Sequence, residues 1–254
     1  MKSTLPPPSL TILIGAAICC LVPGAIRAQD LKASLAYLPK ISESPDKGAF
    51  VDLVKAIGGV YTSGTIQISV SPMARSIDNV ISGGADFHIP MIRNTVVPSS
   101  ALPYKCSTEA LGKVVFVIYS NKAKPITLNM LKAAKDQKPF PYQFESGRGL
   151  EAFFDFPVTP SNAIDQSLKK VDAGRVDGFI WAQEEADYTV RTLGLKNVHR
   201  AIYFAFDDII VLPKGPKGDK LDAEFTKLIK LLRESGKLQK LYATIHLPYN
   251  DWQP

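Results

Sequence analysis

Two stretches of this chain, 91 residues apart, follow the same local plan, and that repeat constrains the fold more than any other feature. Ser82-Gly83-Gly84-Ala85-Asp86-Phe87-His88-Ile89 is echoed by Ala173-Gly174-Arg175-Val176-Asp177-Gly178-Phe179-Ile180. Gly83 and Gly174, Asp86 and Asp177, Ile89 and Ile180, and upstream Val80 and Val171 all share one offset. In each copy a helix stops at glycine and a buried strand follows. A helix-Gly-Asp-strand junction is common in α/β chains, so chance similarity is the competing explanation. The matched positions point instead to two similar lobes with a cleft between them.

The rest of the chain supports an α/β class. Short β-rich runs alternate with amphipathic ones: 33–38, 51–57, 65–70, 74–81 and 86–89. Phe50 to Ile57 carries apolar residues at helical spacing, and Gly58-Gly59 closes it. Lys113 to Tyr119 and Asp208 to Leu212 lack polar alternation, as strands buried on both faces do. The chain is expected to cross between lobes just before each of these runs, giving a two-stranded hinge. A helix over Leu221–Glu234, stopped at Ser235-Gly236, and a short one near Leu238–Thr244 are expected to close back on lobe one. The expected organisation is 1–28 export signal, 29–107 lobe one, 108–204 lobe two and 205–254 lobe one again.

Lys2 followed by the apolar run Leu10 to Val22, ending at Pro23-Gly24, reads as a signal peptide. Thirteen helical residues reach roughly 20 Å, short of a hydrocarbon core of roughly 30 Å, so a permanent span is the weaker reading. Cleavage is expected after Ala28, although an uncleaved anchor fits the same residues. Cys19 follows Ile18, and Cys20 follows Cys19, which argues against lipidation. Loss of residues 1–28 removes Lys2, Arg27 and two of the three cysteines, lowering the formal charge from +6 to +4. Cys106 is left with no internal disulfide partner and is expected to be partly buried and inert. The mild positive charge is not gathered into the basic stripe that a nucleic-acid surface needs.

The order Gly48-Ala49-Phe50-Val51-Asp52-Leu53, Met73-Ala74-Arg75, Gly83-Gly84-Ala85-Asp86, Leu102-Pro103-Tyr104, Ala173-Gly174-Arg175-Val176-Asp177 and Ser235-Gly236-Lys237-Leu238-Gln239-Lys240-Leu241-Tyr242, behind an export signal, resembles the family 3 solute-binding proteins of bacterial ABC importers. The resemblance implies a two-lobed periplasmic-binding-protein type II fold with two hinge crossings. It further implies a monomer in the periplasm that shuts on a small polar, amino-acid-like or anionic solute and presents it to a membrane permease, with no cofactor, metal or catalysis. Amino-acid-binding members pair the ligand carboxylate with an arginine. Arg93 is the candidate here, but it stands only seven residues after Asp86, closer than the family's interval. The same family often places an acid against a ligand ammonium where Gln183 and Glu184 stand, a role either could take unless they merely start the next helix, and it often places the stretch around Arg75 near the cleft mouth.

Ligands in such sheets sit beyond the carboxyl ends of the strands. Tyr37, after the first strand, could roof a ligand or simply pack, and Tyr104 belongs to the same candidate set. Ser146-Gly147-Arg148-Gly149 precedes an expected helix at Leu150–Phe154, so Ser146 and Arg148 could hold an anion; ordinary N-capping by Ser146 is the alternative. Arg93 could instead be an ordinary solvent-facing loop arginine, and Arg75 could equally bridge an acid on the surface. His88, His199 and His246 lie far apart, and no Gly-x-Ser-x-Gly elbow exists, so metal and nucleophilic-serine chemistry have little support. An exported enzyme similar to cyclohexadienyl dehydratases is the alternative function, and a soluble partner of a sensor is a third.

Overall fold

The computed structural model describes Met1, residues 29–39 and residues 41–254, so the expected signal peptide, apart from Met1, lies outside the described residues. The first lobe runs β1 (Leu31–Ala36), α1 (Ala49–Gly58), β2 (Ile66–Ser71), α2 (Met73–Ile81) and β3 (Phe87–Ile92). After the short β4 (Lys105–Cys106) come β5 (Gly112–Asn121), α3 (Leu128–Ala134), β6 (Phe144–Gly147), β7 (Thr159–Ser161), α4 (Ile164–Asp172), β8 (Gly178–Ala182) and α5 (Gln183–Leu193). The chain ends with β9 (Val198–Leu212), α6 (Pro216–Glu234) and α7 (Lys237–Tyr242). Among the described residues no helix is long and apolar enough to cross a membrane.

Among the described residues all nine strands join one sheet, ordered β2-β1-β3-β9-β5-β8-β6-β7, with β4 also on β9. Counted inward from either edge, the plan is the same. On one side β1 is parallel to β2 and β3, and β3 meets antiparallel β9. On the other, β6 is parallel to β7 and β8, and β8 meets antiparallel β5. β5 and β9 then pair with each other along their length, fusing the two lobes.

The repeated residues have matching jobs. Gly83 and Gly174 take φ of +83° and +68°, a left-handed helix exit that side chains disfavour. The amide of Lys32 donates to Asp86 Oδ2 at 2.7 Å, and the Asp86 amide returns a bond to the Lys32 carbonyl. Likewise the amide of Gln143 donates to Asp177 Oδ2 at 2.8 Å, and the Asp177 amide bonds the Gln143 carbonyl. Each aspartate therefore ties its own strand to the start of the parallel neighbour.

Two departures from expectation have clear causes. β9 begins at Val198 rather than near Asp208; polar His199 and Arg200 interrupt its start and Asp207-Asp208 divide its apolar run 201–206 from 209–212, with Ile202 and Phe204 exposed. The expectation that all of 205–254 lies on lobe one also fails for the last residues. Helices α6 and α7 share a core with α1 around Phe50, Leu53, Phe225, Leu228 and Leu238. Tyr249 and Trp252, by contrast, pack with Tyr119, Leu168, Phe179 and Val190 of lobe two. The reason is Arg200, 1% exposed, which no water can solvate. Asp187 accepts from its Nε and Nη2 at 2.6 Å each, the carbonyls of Asn250 and Trp252 accept from Nη1, and the Tyr249 and Trp252 rings cover its charge.

Replacing Asp86 or Asp177 with Ala is expected to cost about 1–3 kcal/mol each, the worth of a charge-assisted bond to a backbone amide. The two losses should add in the double variant. Urea unfolding measures this; an unchanged midpoint in either variant would mean that the repeated carboxylates do not hold the strands.

Candidate functional site

The site is organised by two adjacent acids on β9. Asp208 lies where the strand changes partners, opposite Ile92 of β3 and Gly112 of β5 at once. Successive side chains of a strand point to opposite faces, so Asp207 and Asp208 meet different surroundings. Asp207 meets Lys113 Nζ at 2.5 Å and Arg93 Nε at 3.3 Å, and these cations, Lys113 foremost, hold its carboxyl below the usual range. Asp208 turns inward and is 1% exposed.

Gly112 makes room for what surrounds Asp208. A Cβ there would stand 2.2 Å from the Tyr242 ring, so the bare glycine lets that ring lie over β5 and donate its hydroxyl to Asp208 Oδ2 at 3.1 Å. His246, just past α7, sets Nε2 3.9 Å from the same oxygen and binds Glu184 Oε2 through Nδ1 at 3.0 Å. The Leu247 amide donates to the other Glu184 oxygen at 2.7 Å. Glu185, the next residue of α5, is buried, and its Oε2 has no hydrogen-bond partner. Asp208 Oδ1 likewise accepts no well-formed bond, although the amides of Met91 and Ile209 lie near enough to favour its charge.

Burial pushes Glu185 up to about 7 and Asp208 up to about 6, with His246 opposing both shifts. Burial also works to lower the His246 pKa, but the bond to Glu184 and the charges of Asp208 and Glu185 outweigh it, leaving the imidazole above its ordinary value.

These groups line a cavity of about 50 Å³ between the lobes. Leu38, Phe50, Met73, Pro90, Met91 and Ile92 form the first-lobe wall, and Val114, Phe116, Leu150, Trp181, Ala182 and Glu185 the other; Asp208 and His246 complete it. Trp181 fits because Gly147 has no Cβ, which would fall 1.9 Å from the indole; its Nε1–H is buried without a partner. The lobes touch directly, as Asn94 Nδ2 donates to the Ala152 carbonyl at 3.0 Å. As they stand, the hollow admits a few water-sized groups, so a larger solute requires them to part.

None of the eight residues singled out from the sequence lines this cavity. Tyr37 is exposed beside Ser44 and Pro72, and Arg75 is exposed on α2. Arg93 follows Asp207 to the outer face, donating also to the Ser107 carbonyl at 3.0 Å, and shares a shallow depression there with Tyr104 and Lys105. Ser146 is buried within β6, its hydroxyl spent on the Ile180 carbonyl. Arg148 is exposed and donates to Asn162 Oδ1 at 2.7 Å. The expected helix at Leu150–Phe154 is only a 3-10 turn over Glu151–Phe153, and the Glu151 carboxylate takes the Gly149 amide, so that turn offers an anion little. Gln183 and Glu184 grip the C-terminal segment, Gln183 through the carbonyls of Leu247 and Pro248.

Sequence reasoning missed Glu185, Asp208, His246 and Trp181. One signal was available: in Phe206-Asp207-Asp208-Ile209 two consecutive acids open an apolar strand, so one of them must face inward. Nothing local marks His246, 62 residues from Glu184. His88 is buried, accepting or donating at Nδ1 with Ser76, and burial lowers it to about 4. Among the described residues no group of three or more His, Cys, Asp or Glu side chains could hold a metal ion. Cys106 is half-buried, and burial pushes its thiol up, away from the reactive thiolate.

No family model matches the sequence, and no curated protein matches it. Solved structures do. A histidine kinase sensor domain with similarity to periplasmic binding proteins superposes with a TM-score of 0.66 at 17% identity, over 86% of this chain and 96% of its own. The GluR0 ligand-binding core from Nostoc punctiforme, in complex with L-glutamate, gives 0.64 at 15%, over 84% and 98%. An ancestral amino acid-binding protein, a precursor of cyclohexadienyl dehydratase, gives 0.61 at 14%, over 85% and 94%. This chain has the periplasmic-binding-protein type II fold. In this periplasmic-binding-protein type II molecule the cavity lies between the two lobes, beside the strands that join them.

The carboxyls of Glu185 and Asp208 bind protons more tightly folded than unfolded, so their ionisation opposes folding as pH rises from about 4 through about 7. His246, raised in the folded state, loses its contribution in the same direction. Glu185→Gln should therefore melt progressively higher than the parent between pH 5 and pH 7, the gain levelling off above about pH 8 at a few kcal/mol. A difference in melting temperature that does not grow with pH would overturn this.

Proposed function

We propose that the protein is a solute-binding protein of the bacterial periplasm, exported by a signal peptide cut after Ala28, that captures a small polar solute between its lobes and delivers it to an ABC permease. The observation that carries this reading is the cavity walled by both lobes and placed beside the two strands, β5 and β9, about which the lobes are joined. A solute touching both walls favours the shut form over the open one, and only such differential contact shifts that balance. The eight residues first singled out are not where this reading places the ligand; Ile92, Leu150, Trp181, Glu185, Asp208 and His246 are. With Arg93 bound to Asp207, an amino-acid carboxylate has no arginine partner in the cavity.

Two observations keep other roles in view. Glu185, pushed up to about 7 in a closed cavity, has the proton affinity of a general acid, which suits an exported enzyme of the cyclohexadienyl-dehydratase kind. The superposition on a kinase sensor domain fits a partner of a receptor equally well.

Native mass spectrometry of protein purified without denaturant is expected to show a bound small molecule. Leu150→Trp, which fills the cavity from the second lobe, should abolish that mass increment and any ligand-induced compaction in X-ray scattering while the protein remains folded. Retention of the solute by Leu150→Trp would place the site elsewhere, and turnover of prephenate or arogenate would favour the enzyme.

A further inference from the structure

We propose that the inter-lobe cavity takes a small organic cation, an ammonium or amidinium group on an apolar body with no carboxylate of its own, held between Glu185 and Asp208. This rests on the solute-binding reading above and narrows it to one ligand class.

Two cavity-lining acids, Glu185 and Asp208, 9% and 1% exposed, each carry a buried oxygen, Oε2 and Oδ1, with no well-formed hydrogen bond, the amides of Met91 and Ile209 near Asp208 notwithstanding. A buried carboxylate in an otherwise apolar wall is costly unless a cation or donor meets it. The positive group at hand is His246, already bonded to Glu184 at 3.0 Å and 3.9 Å from Asp208. This one basic side chain thus faces three acids, Glu184, Glu185 and Asp208. No Lys or Arg lines the cavity. A ligand carboxylate would bring a further acid with no Lys or Arg to receive it, whereas a ligand cation supplies the positive group that these acids lack.

The remaining wall suits the ligand's body. Ile92 and Leu150 offer aliphatic contact, and the rings of Phe116 and Trp181 attract cations as well as hydrocarbon. The unpartnered Trp181 indole N–H further favours a ligand with a hydroxyl or ether acceptor. A bare metal ion fits poorly, since among the described residues no three candidate side chains could hold one.

Glu185 is faced by Glu184 on its own helix, by Asp208 on β9 and by His246 beyond α7, while Tyr242 of α7 donates to Asp208. Burial holds Glu185 near 7 and Asp208 near 6, so a bound cation must displace protons from them. Cation affinity should accordingly fall as pH drops from 8 to 5.5.

Isothermal titration of the purified protein with butylammonium, ethanolammonium, butyrate and zwitterionic 4-aminobutyrate tests this, with melting and X-ray scattering recorded alongside. The two ammonium probes should bind about tenfold or more tighter than butyrate, ethanolammonium gaining from its hydroxyl. Glu185→Gln and Asp208→Asn should each weaken the ammonium probes by about tenfold or more. The same variants should raise the melting temperature of the empty protein above pH 7, an opposite sign that a misfolded variant would not give. Butyrate binding as tightly as butylammonium, or ammonium affinity unchanged in both variants, would overturn the proposal. If butyrate or 4-aminobutyrate alone compacts the protein, the cation class falls while solute binding stands. If no probe of either charge changes melting or scattering, the cation class falls, and the native mass increment and its loss in Leu150→Trp decide solute binding separately.

Discussion

One strand carries hydrogen bonds into both lobes, and the rest of the molecule is arranged about it. β9 pairs with β5 from Val198 to Asp208 and with β3 from Asp208 to Val211, so the sheet has no seam between the lobes. The switch of partners falls on a pair of acids. Strand alternation sends Asp207 to cations on the outer face and Asp208 to the closed cavity. A slip of one residue would put either Asp207 in the cavity and Phe206 against Arg93 and Lys113, or Asp208 against those cations and Ile209 in the cavity. Register at this one point therefore sets both the hinge and the electrostatics of the cavity.

The C-terminal segment adds a tie of another kind. It leaves α7 on the first lobe, passes His246 and Leu247 along Glu184 at the start of α5, and ends with Tyr249 and Trp252 over Arg200 on the second. The two connections differ in strength. β5 and β9 join the lobes through a ladder of backbone bonds, while His246 and Leu247 hold through the side chains of Gln183 and Glu184. His246 stands against Glu185 and Asp208, whose protons burial holds more tightly than usual, so this part of the wall is sensitive to pH.

Much of the architecture was legible along the chain. The 91-residue repeat corresponds to a real pair of α-to-β junctions, where a left-handed glycine and a strand-tying aspartate recur. The site was legible only approximately. Arg93 stands next to Ile92, Arg148 two residues before Leu150 and Glu184 next to Glu185; in each case the neighbour, not the named residue, meets the cavity. Charged residues drew attention as ligand partners, but on a strand or helix an adjacent position faces another direction. Gly147, after Ser146, makes room for the Trp181 ring.

The sequence by itself determined the α/β alternation, the helix stops and the doubled lobe plan, because periodicity, glycine conformations and local hydrogen bonds act over a few residues. Only the tertiary structure decided which of Asp207 and Asp208 is buried, that His246 meets Glu184, and that the chain's last residues cross to the second lobe. Those outcomes depend on desolvation and on partners tens of residues or more away, such as Tyr242 over Gly112, and nothing within a local window encodes them.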